Sequence, residues 1–424
     1  MIVPSIDLMS GTAVQLVGGR EQALDAGDPI PIARAFGVAG EIAVVDLDAA
    51  LGKGSNAKVI RTLLELAPCR VGGGIRSVKA ALDWLDAGAT SIVLGTAARP
   101  EILKELPPER VIVALDAVRG EVVVEGWRTR TGRQVEELIG ELKGLAGGFL
   151  VTFVEREGRL GGIDLDQAAH LAELTEGVSL TVAGGITTVD EIAALDRIGV
   201  DAQVGMALYT GKMALADAVT APLRSDRPDG LWPTVVVDEH GVALGLVWSD
   251  RESVRQAMTR RRGIYHSRSR GLWTKGATSG ATQELLAVDL DCDRDALRFT
   301  VRQHGDGFCH DGTWSCWGDT GGLPSLDRLL AERVQAAPEG SYTKRLLDDP
   351  DLLRRKLLEE ATELAEAVSA PEVAWEAADL AYFALVTLAR GGATLGDVER
   401  ELDRRALRVR RRSESEDPEA GGSA

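Results

Sequence analysis

Three carboxylates, three thiols and one imidazole lie close together in the chain, at Asp291, Asp293 and Asp295, at Cys292, Cys309 and Cys316, and at His310. Carboxylate oxygens suit a hard cation such as Mg²⁺ and thiolates suit Zn²⁺, so the stretch reads as two interleaved metal sites. Three thiolates leave one of zinc's four positions open, which is the arrangement of a catalytic rather than a structural centre. An EF-hand does not fit, because the turn glycine is replaced by Ala296 and the twelfth position is Arg302 rather than Glu. A disulfide pair is disfavoured, since Met1–Ile6 runs straight into a strand-like segment with no secretory signal. Buried structural thiols are the remaining alternative.

Four further acids are spaced for the same kind of work. Glu360 and Glu363 share one face of a helical stretch, and Glu376 and Asp379 repeat the spacing on a second. They are interleaved with apolar Leu358, Ala361, Leu364, Leu380 and Ala381, which puts them at the edge of a core rather than on a solvated face. Acids facing one another across a helix pair suit Mg²⁺ and a polyphosphate. Nearer the amino end, Asp7 and Asp116 each close a strand-like run and are each followed by a glycine, Gly11 and Gly120. Gly73–Gly74–Ile75 recurs as Gly184–Gly185–Ile186, and each is followed by another glycine closing the next strand: Gly95, beside Thr96, and Gly205, beside Met206. Glycines at strand ends let backbone N–H groups approach an anion, although they also permit plain tight turns. Two such sets on opposite sides imply a substrate with a phosphate at each end. Asp7 and Asp116 between them can then serve as general base and general acid.

The elements that position these groups follow from hydrophobic patterning. Eight apolar runs recur over residues 1–222: Ile2–Ile6, Ile42–Val45, Cys69–Val71, Ser91–Leu94, Val111–Leu115, Phe149–Val154, Ser179–Ala183 and Asp201–Val204. Amphipathic stretches separate several of them, so the expected fold is a (β/α)8 TIM barrel built from two similar halves. The turn-rich Arg224–Gly230 is a linker, and residues 230–322 form a small α+β, mostly-β, metal-binding domain. Residues 323–412 read as an all-α domain, and 413–424 as a disordered tail. A chain of 424 residues with 45% hydrophobic composition is multidomain with ample core. Its net charge of −17 argues against nucleic-acid or anionic-membrane partners. No apolar run approaches the roughly 18–20 residues of a membrane span, so a cytoplasmic protein is expected.

These motifs also carry three resemblances. Val45–Ala49, Gly72–Arg76, Gly126–Trp127 and Val204–Tyr209 resemble the ProFAR isomerase of histidine biosynthesis, over the whole first segment. That resemblance implies an Amadori rearrangement in a two-phosphate barrel, with Asp7 as base, Asp116 as acidic partner and Thr152 close to the substrate. Where that family has Asp-Gly-Thr after its sixth strand, its Asp being a catalytic acid, this chain has Glu157–Gly158–Arg159. Glutamate still offers a proton, but a misplacement of ~1 Å can cost about 10²-fold, and Arg159 brings charge where a small hydroxyl residue is expected.

The second segment resembles phosphoribosyl-AMP cyclohydrolase, through Ser267–Arg268–Ser269–Arg270, Leu272–Trp273, Lys275–Gly276, Thr278–Ser279–Gly280 and the Asp/Cys/His cluster. His266 departs from it, standing where that family commonly has Trp. The resemblance implies Zn²⁺ on Cys292, Cys309 and Cys316, a proton shuttle at His310, Mg²⁺ on Asp291, Asp293 and Asp295, and substrate contacts from Ser267 to Ser279. It also implies a homodimer through this domain. The last segment, with its acidic pairs, Ser341–Tyr342–Thr343 and Lys356, resembles phosphoribosyl-ATP pyrophosphohydrolase. Together the three imply a multifunctional enzyme acting on phosphoribosyl nucleotides. The alternative is a bifunctional hydrolase whose barrel only binds substrate or scaffolds.

Overall fold

Side chains alternate across a strand, and in the first segment this alternation divides each strand between a barrel interior and a helix-facing layer. The computed structural model describes residues 1–18, 21–124 and 126–410; the expected tail over 413–424 lies outside them. Strand β1 (Ile2–Met9) runs into a hairpin of β2 (Thr12–Val17) and β3 (Glu21–Gly27). Strands β4 (Ile42–Asp46), β5 (Cys69–Gly72), β6 (Ser91–Leu94) and β7 (Val111–Val118) follow. A second hairpin, β8 (Glu121–Val124) and β9 (Thr129–Gln134), extends β7, and β10 (Gly148–Phe153), β11 (Ser179–Ala183) and β12 (Val200–Val204) complete the set.

The parallel order β1-β4-β5-β6-β7-β10-β11-β12 returns to β1, where Ile2 pairs with Ala202, so the eight expected strands close a barrel. Ile112, Leu150 and Ala183, with Val93 and Ala114, fill its interior. Ile6, Leu8, Val44, Ile60 and Leu63 build the layer between strands and helices. The two hairpins follow the first and fifth strands of the ring, on opposite sides, so the half-barrel repeat extends to them. The sequence reading did not anticipate either hairpin.

Local signals explain the helix starts after each glycine doublet. Ser77 caps Val78–Asp86, and Thr188 forms a capping box with Glu191 for Val189–Arg197. Glycine is required at the doublets themselves. Gly73 and Gly184 sit at φ +91° and +93°, and a Cβ would fall 2.3 Å from the Asp46 carbonyl oxygen and 2.5 Å from that of Phe153.

Beyond the linker, β13 (Trp232–Val237), β14 (Ala243–Ser249), β15 (Ile264–Ser267), β16 (Gly271–Thr274), β17 (Gln283–Leu290) and β18 (Leu297–Gln303) form a curled sheet of order β16-β15-β14-β13-β18-β17. Buried Tyr265, Phe299, Leu285 and Val301 pack its core, and the helix Arg251–Arg260 packs against β15. The remainder is helical: Gly322–Ala336, Tyr342–Asp348, Pro350–Glu366, Ala370–Gly391 and Leu395–Ala406, around Leu330, Leu346, Leu353, Phe383 and Val386. Asp349 caps the third of these with Pro350 at its first position, and the fourth closes at Gly392 in the left-handed region. The chain divides into two compact units. One comprises Met1–Val237, Leu246–Gly305 and the chain from Leu407, and the other comprises Asp238–Gly245 and Asp306–Ala406.

Candidate functional site

Period-two alternation carries Ile112, Ala114 and then Asp116 along the inside of β7, so the carboxylate emerges at the carboxyl end of the strand. Thr152 is its register neighbour on β10, and both Thr152 and the Trp127 indole hydrogen-bond to Asp116. Asp7, near the end of β1, and Glu157, in the turn after β10, join Asp116 in lining a cavity of about 930 Å³. All eight glycine-set residues also line it: Gly73, Gly74, Gly95 and Thr96 from one half, Gly184, Gly185, Gly205 and Met206 from the other. The β2–β3 hairpin locks the Glu157 turn, because the Gly18 amide donates to the Glu157 carbonyl at 3.3 Å. Gly158, at φ +70°, lies so close to Leu16 that a Cβ there would fall 2.6 Å from its carbonyl oxygen.

Burial pushes the Asp7 carboxyl up to about 7. Burial, then repulsion from Asp7 and Asp116, pushes Glu157 up to about 8. Burial raises Asp116 as well, against the hydrogen bonds from Trp127 and Thr152. Asp7 and Glu157 therefore stay partly protonated near neutrality, beside an Asp116 that is raised as well, which suits proton transfer in both directions. Arg159, expected to bring charge to the site, is instead exposed and does not line the cavity. The turn carries its side chain outward while Glu157 points in.

In the curled sheet, Ser267, Arg268, Ser269, Arg270 and Trp273 line a second cavity of about 520 Å³, together with Trp248 and His266. The guanidinium of Arg227 lies 4.0 Å from the centre of the Trp248 ring, and that of Arg268 lies 5.4 Å from it. His266, the residue that departs from the cyclohydrolase pattern, is held by a 2.7 Å bond between Nδ1 and Asp250 Oδ2. Lys275, expected to touch substrate, is buried and donates to the Ala281 carbonyl at 3.1 Å, so it closes the Gly276–Ala281 turn. Thr278 and Ser279 are exposed on that turn and do not line the cavity. Trp248, Arg227 and Asp250 carried no motif, and only the folded sheet brings them to this surface.

Ligand oxygens of Asp291, Asp293 and Asp295 all lie within 4.8 Å of one another, close enough for a single divalent cation to bridge them. Asp291 Oδ1 accepts the Asp295 and Ala296 amides at 3.0 and 3.1 Å, which folds the loop. The crowding shows at Asp295, whose carboxyl is raised from its ordinary value by its hydrogen bond to Asp291 and by the charge of Asp293. Cys292 belongs to the first compact unit, and Cys309 and Cys316 to the second. Cys309 Sγ lies 3.9 Å from both His310 Nδ1 and Asp311 Oδ2, a mixed sulfur, nitrogen and oxygen donor set of the kinds zinc accepts. Asp311 was not among the expected ligands. In the helical region Glu360, Glu363 and Glu376 come within the same 4.8 Å limit, and Asp379 is not one of that group. Asp379 nevertheless helps to raise Glu376, after burial and the charges of Glu363 and Glu360. Lys356 Nζ reaches Glu360 at 3.0 Å and Glu359 at 2.8 Å. Ser341 caps its helix through the Lys344 amide, and Thr343 shares a 2.9 Å bond with Tyr382.

Residues 1–214 match the Histidine biosynthesis protein family. The Histidine biosynthesis bifunctional protein his7 of Schizosaccharomyces pombe is 36% identical over 368 residues, which covers 84% of this chain and 81% of that protein. The chain belongs to the histidine biosynthesis protein family. Residues 245–318 match Phosphoribosyl-AMP cyclohydrolase and 323–406 match Phosphoribosyl-ATP pyrophosphohydrolase, so this family member is a fusion of three domains in that order. A Histidine biosynthesis trifunctional protein of Neurospora crassa is 47% identical over 252 residues, 59% of this chain and 27% of that one. The chain thus spans only about a quarter of the length of the first curated relatives it matches. An imidazole-4-carboxamide isomerase of Methanosphaera stadtmanae is 38% identical over 236 residues, 98% of its own length. Among the described residues, no helix is long and apolar enough to cross a membrane.

Proposed function

We propose that this chain catalyses three consecutive steps of histidine biosynthesis. Residues 323–412 remove pyrophosphate from phosphoribosyl-ATP, residues 230–322 open the purine ring of phosphoribosyl-AMP to give ProFAR, and the barrel of residues 1–222 isomerises ProFAR to the aminoketose. The observation that carries the full reading is the convergence of Asp7, Asp116 and Glu157 in one cavity between two glycine sets. A barrel kept only as a scaffold has no need to hold three carboxyls in a buried site at the cost of their mutual repulsion.

In the barrel, the glycine amides hold the two phosphate ends and place the aminoaldose carbon skeleton across the carboxyls. Asp7, which ionises at about 7, takes the proton from the sugar carbon next to the imine. Glu157, still protonated up to about 8, delivers a proton to the opening sugar ring. Trp127 and Thr152 hold Asp116 beside them. The isomerase kcat/KM is therefore expected to rise as Asp7 deprotonates and to fall as Glu157 does, giving a bell with its top between about 7 and 8. Glu157→Gln is expected to lower it by about 10²-fold and to flatten the alkaline limb. A full-strength Glu157→Gln enzyme would show that the substituted glutamate is not the acid.

The two hydrolytic steps use the acidic and thiol groups. Mg²⁺ on Asp291, Asp293 and Asp295, and on Glu360, Glu363, Glu376 and Asp379, would neutralise phosphate charge, and Zn²⁺ on Cys292, Cys309 and Cys316 would lower the pKa of water. Arg268 and Arg270 supply charge, and Ser267 and Ser269 hydroxyls, to a phosphoribosyl group in the cavity they line. His310, 91% exposed at its side chain, is placed to exchange a proton with solvent. A cytoplasmic homodimer through the cyclohydrolase domain completes the proposal. The test is to give the purified chain phosphoribosyl-ATP with Mg²⁺ and Zn²⁺ and to separate the products by chromatography. The aminoketose is expected. Accumulated ProFAR would leave the barrel a scaffold, and persistent phosphoribosyl-ATP would overturn the whole reading.

A further inference from the structure

One carboxylate on the outer layer of the barrel is spent on the neighbouring domain's acidic loop. Asp196 lies on the helix Val189–Arg197, and its side chain is only 7% exposed. Arg294, inside the run Asp291–Cys292–Asp293–Arg294–Asp295, donates Nε to it at 3.1 and 3.3 Å and a terminal nitrogen at 3.0 Å. The other terminal nitrogen donates to the Asp291 backbone carbonyl at 2.6 Å. The guanidinium thus ties a barrel helix directly to the backbone at the first carboxylate of the loop. Arg294 itself stands at φ +66°, a conformation uncommon for a residue with a side chain, and its carbonyl is fixed by the Arg224 amide at 2.8 Å. The Met1 ammonium also reaches Asp196, at 3.3 Å. Burial works against the charge of Asp196, and Arg294 together with the Met1 ammonium outweighs it and holds the carboxyl below its usual value.

We propose that Asp196 is a positioning residue for the cation site of the cyclohydrolase loop, acting through Arg294, so that the barrel sets the affinity of its neighbour for a divalent ion. This rests on the reading that Asp291, Asp293 and Asp295 hold the ion. The physical reason is repulsion: three carboxylates whose oxygens lie within 4.8 Å of one another push the loop open unless its backbone is restrained. The fork of Arg294 restrains it at Asp291, and Asp196 restrains the fork. Asp196 does not line the barrel cavity, so loosening it leaves the isomerase groups untouched. Residues that orient metal ligands without touching the metal typically change its affinity by about 10–100-fold when replaced.

The experiment is Mn²⁺ binding to the full chain, followed by electron paramagnetic resonance of the unbound ion, in a Glu360→Gln/Glu363→Gln background that silences the helical site. Asp196→Asn is expected to weaken the remaining site about 10-fold while isomerase kcat/KM stays at the parent value, and Asp196→Glu is expected to recover part of the loss. Arg294→Lys, which keeps the charge but loses the fork, is the second variant and is expected to weaken binding similarly. Asp293→Asn separates the two layers of the argument. If it leaves Mn²⁺ binding unchanged, the loop is not the cation site and the underlying reading fails. If it abolishes binding while Asp196→Asn and Arg294→Lys bind at parent strength, the positioning role fails alone.

Discussion

Asp7→Asn is expected to lower isomerase turnover by about 10³-fold and, in the same protein, to stabilise the barrel at alkaline pH. The first effect follows from removing the carboxylate proposed as the general base, which ionises below Glu157. The second follows from linkage. The folded-state pKa of Asp7 is about 7, well above the ordinary carboxylate value, because burial disfavours its charge. Between about pH 4 and 7 the folded chain therefore holds a proton that the unfolded chain has released, and stability falls as pH rises through that window. Glu157 extends the fall to about 8. The amide carries no such penalty, so the variant gains up to about 4 kcal/mol above pH 7 and nothing near pH 4. Scanning calorimetry of both proteins across pH measures this. A variant with lower stability at alkaline pH would mean that the Asp7 carboxylate is stabilised, not penalised, in the fold.

Glu363→Gln is expected to cut pyrophosphate release by about 10²–10³-fold, since it removes one of three clustered oxygen ligands and the charge that holds a cation against a polyphosphate. Without added metal the same substitution is expected to leave the helical region as stable as the parent or more so. Glu376 is already raised by burial and by its neighbours Glu363, Glu360 and Asp379, so one fewer negative charge relieves repulsion between the helices Pro350–Glu366 and Ala370–Gly391. The parent should gain thermal stability on adding Mg²⁺, and the variant should gain much less. Equal gains in both proteins would place the cation elsewhere.

The eight barrel strands were readable because each is a short apolar run, seven of them closed by glycine or aspartate, and both glycine doublets were readable as a repeat. The hairpins β2–β3 and β8–β9 were not, although Gly11 and Gly120, at φ +84° and +82°, mark the turns that lead from β1 and β7 into them. Their strands are partly exposed, so the hydrophobic signal that marks a barrel strand is weak in them. The orientations of Arg159 and Lys275 were not readable, for a related reason. A motif fixes which residue stands at a position, but the turn fixes whether its side chain points into the cavity, out to solvent or back onto a carbonyl. Glu157 and Arg159 are two apart and point oppositely.

By itself, the sequence determined everything that depends on short spacing. That includes the strand periodicity, the paired acids on two helices, the Asp291–Asp295 run, the order of the three domains and the two repeated glycine sets. Tertiary structure alone decided which distant groups meet. Asp7, Asp116 and Glu157 come from three separate stretches, and closure of the ring is what buries them together and lifts their pKa values. Asp196 and Arg294 lie 98 positions apart in the chain, and no local pattern pairs them. Burial and long-range charge are properties of the packed molecule, so the electrostatics of this site could be read only after the barrel had closed.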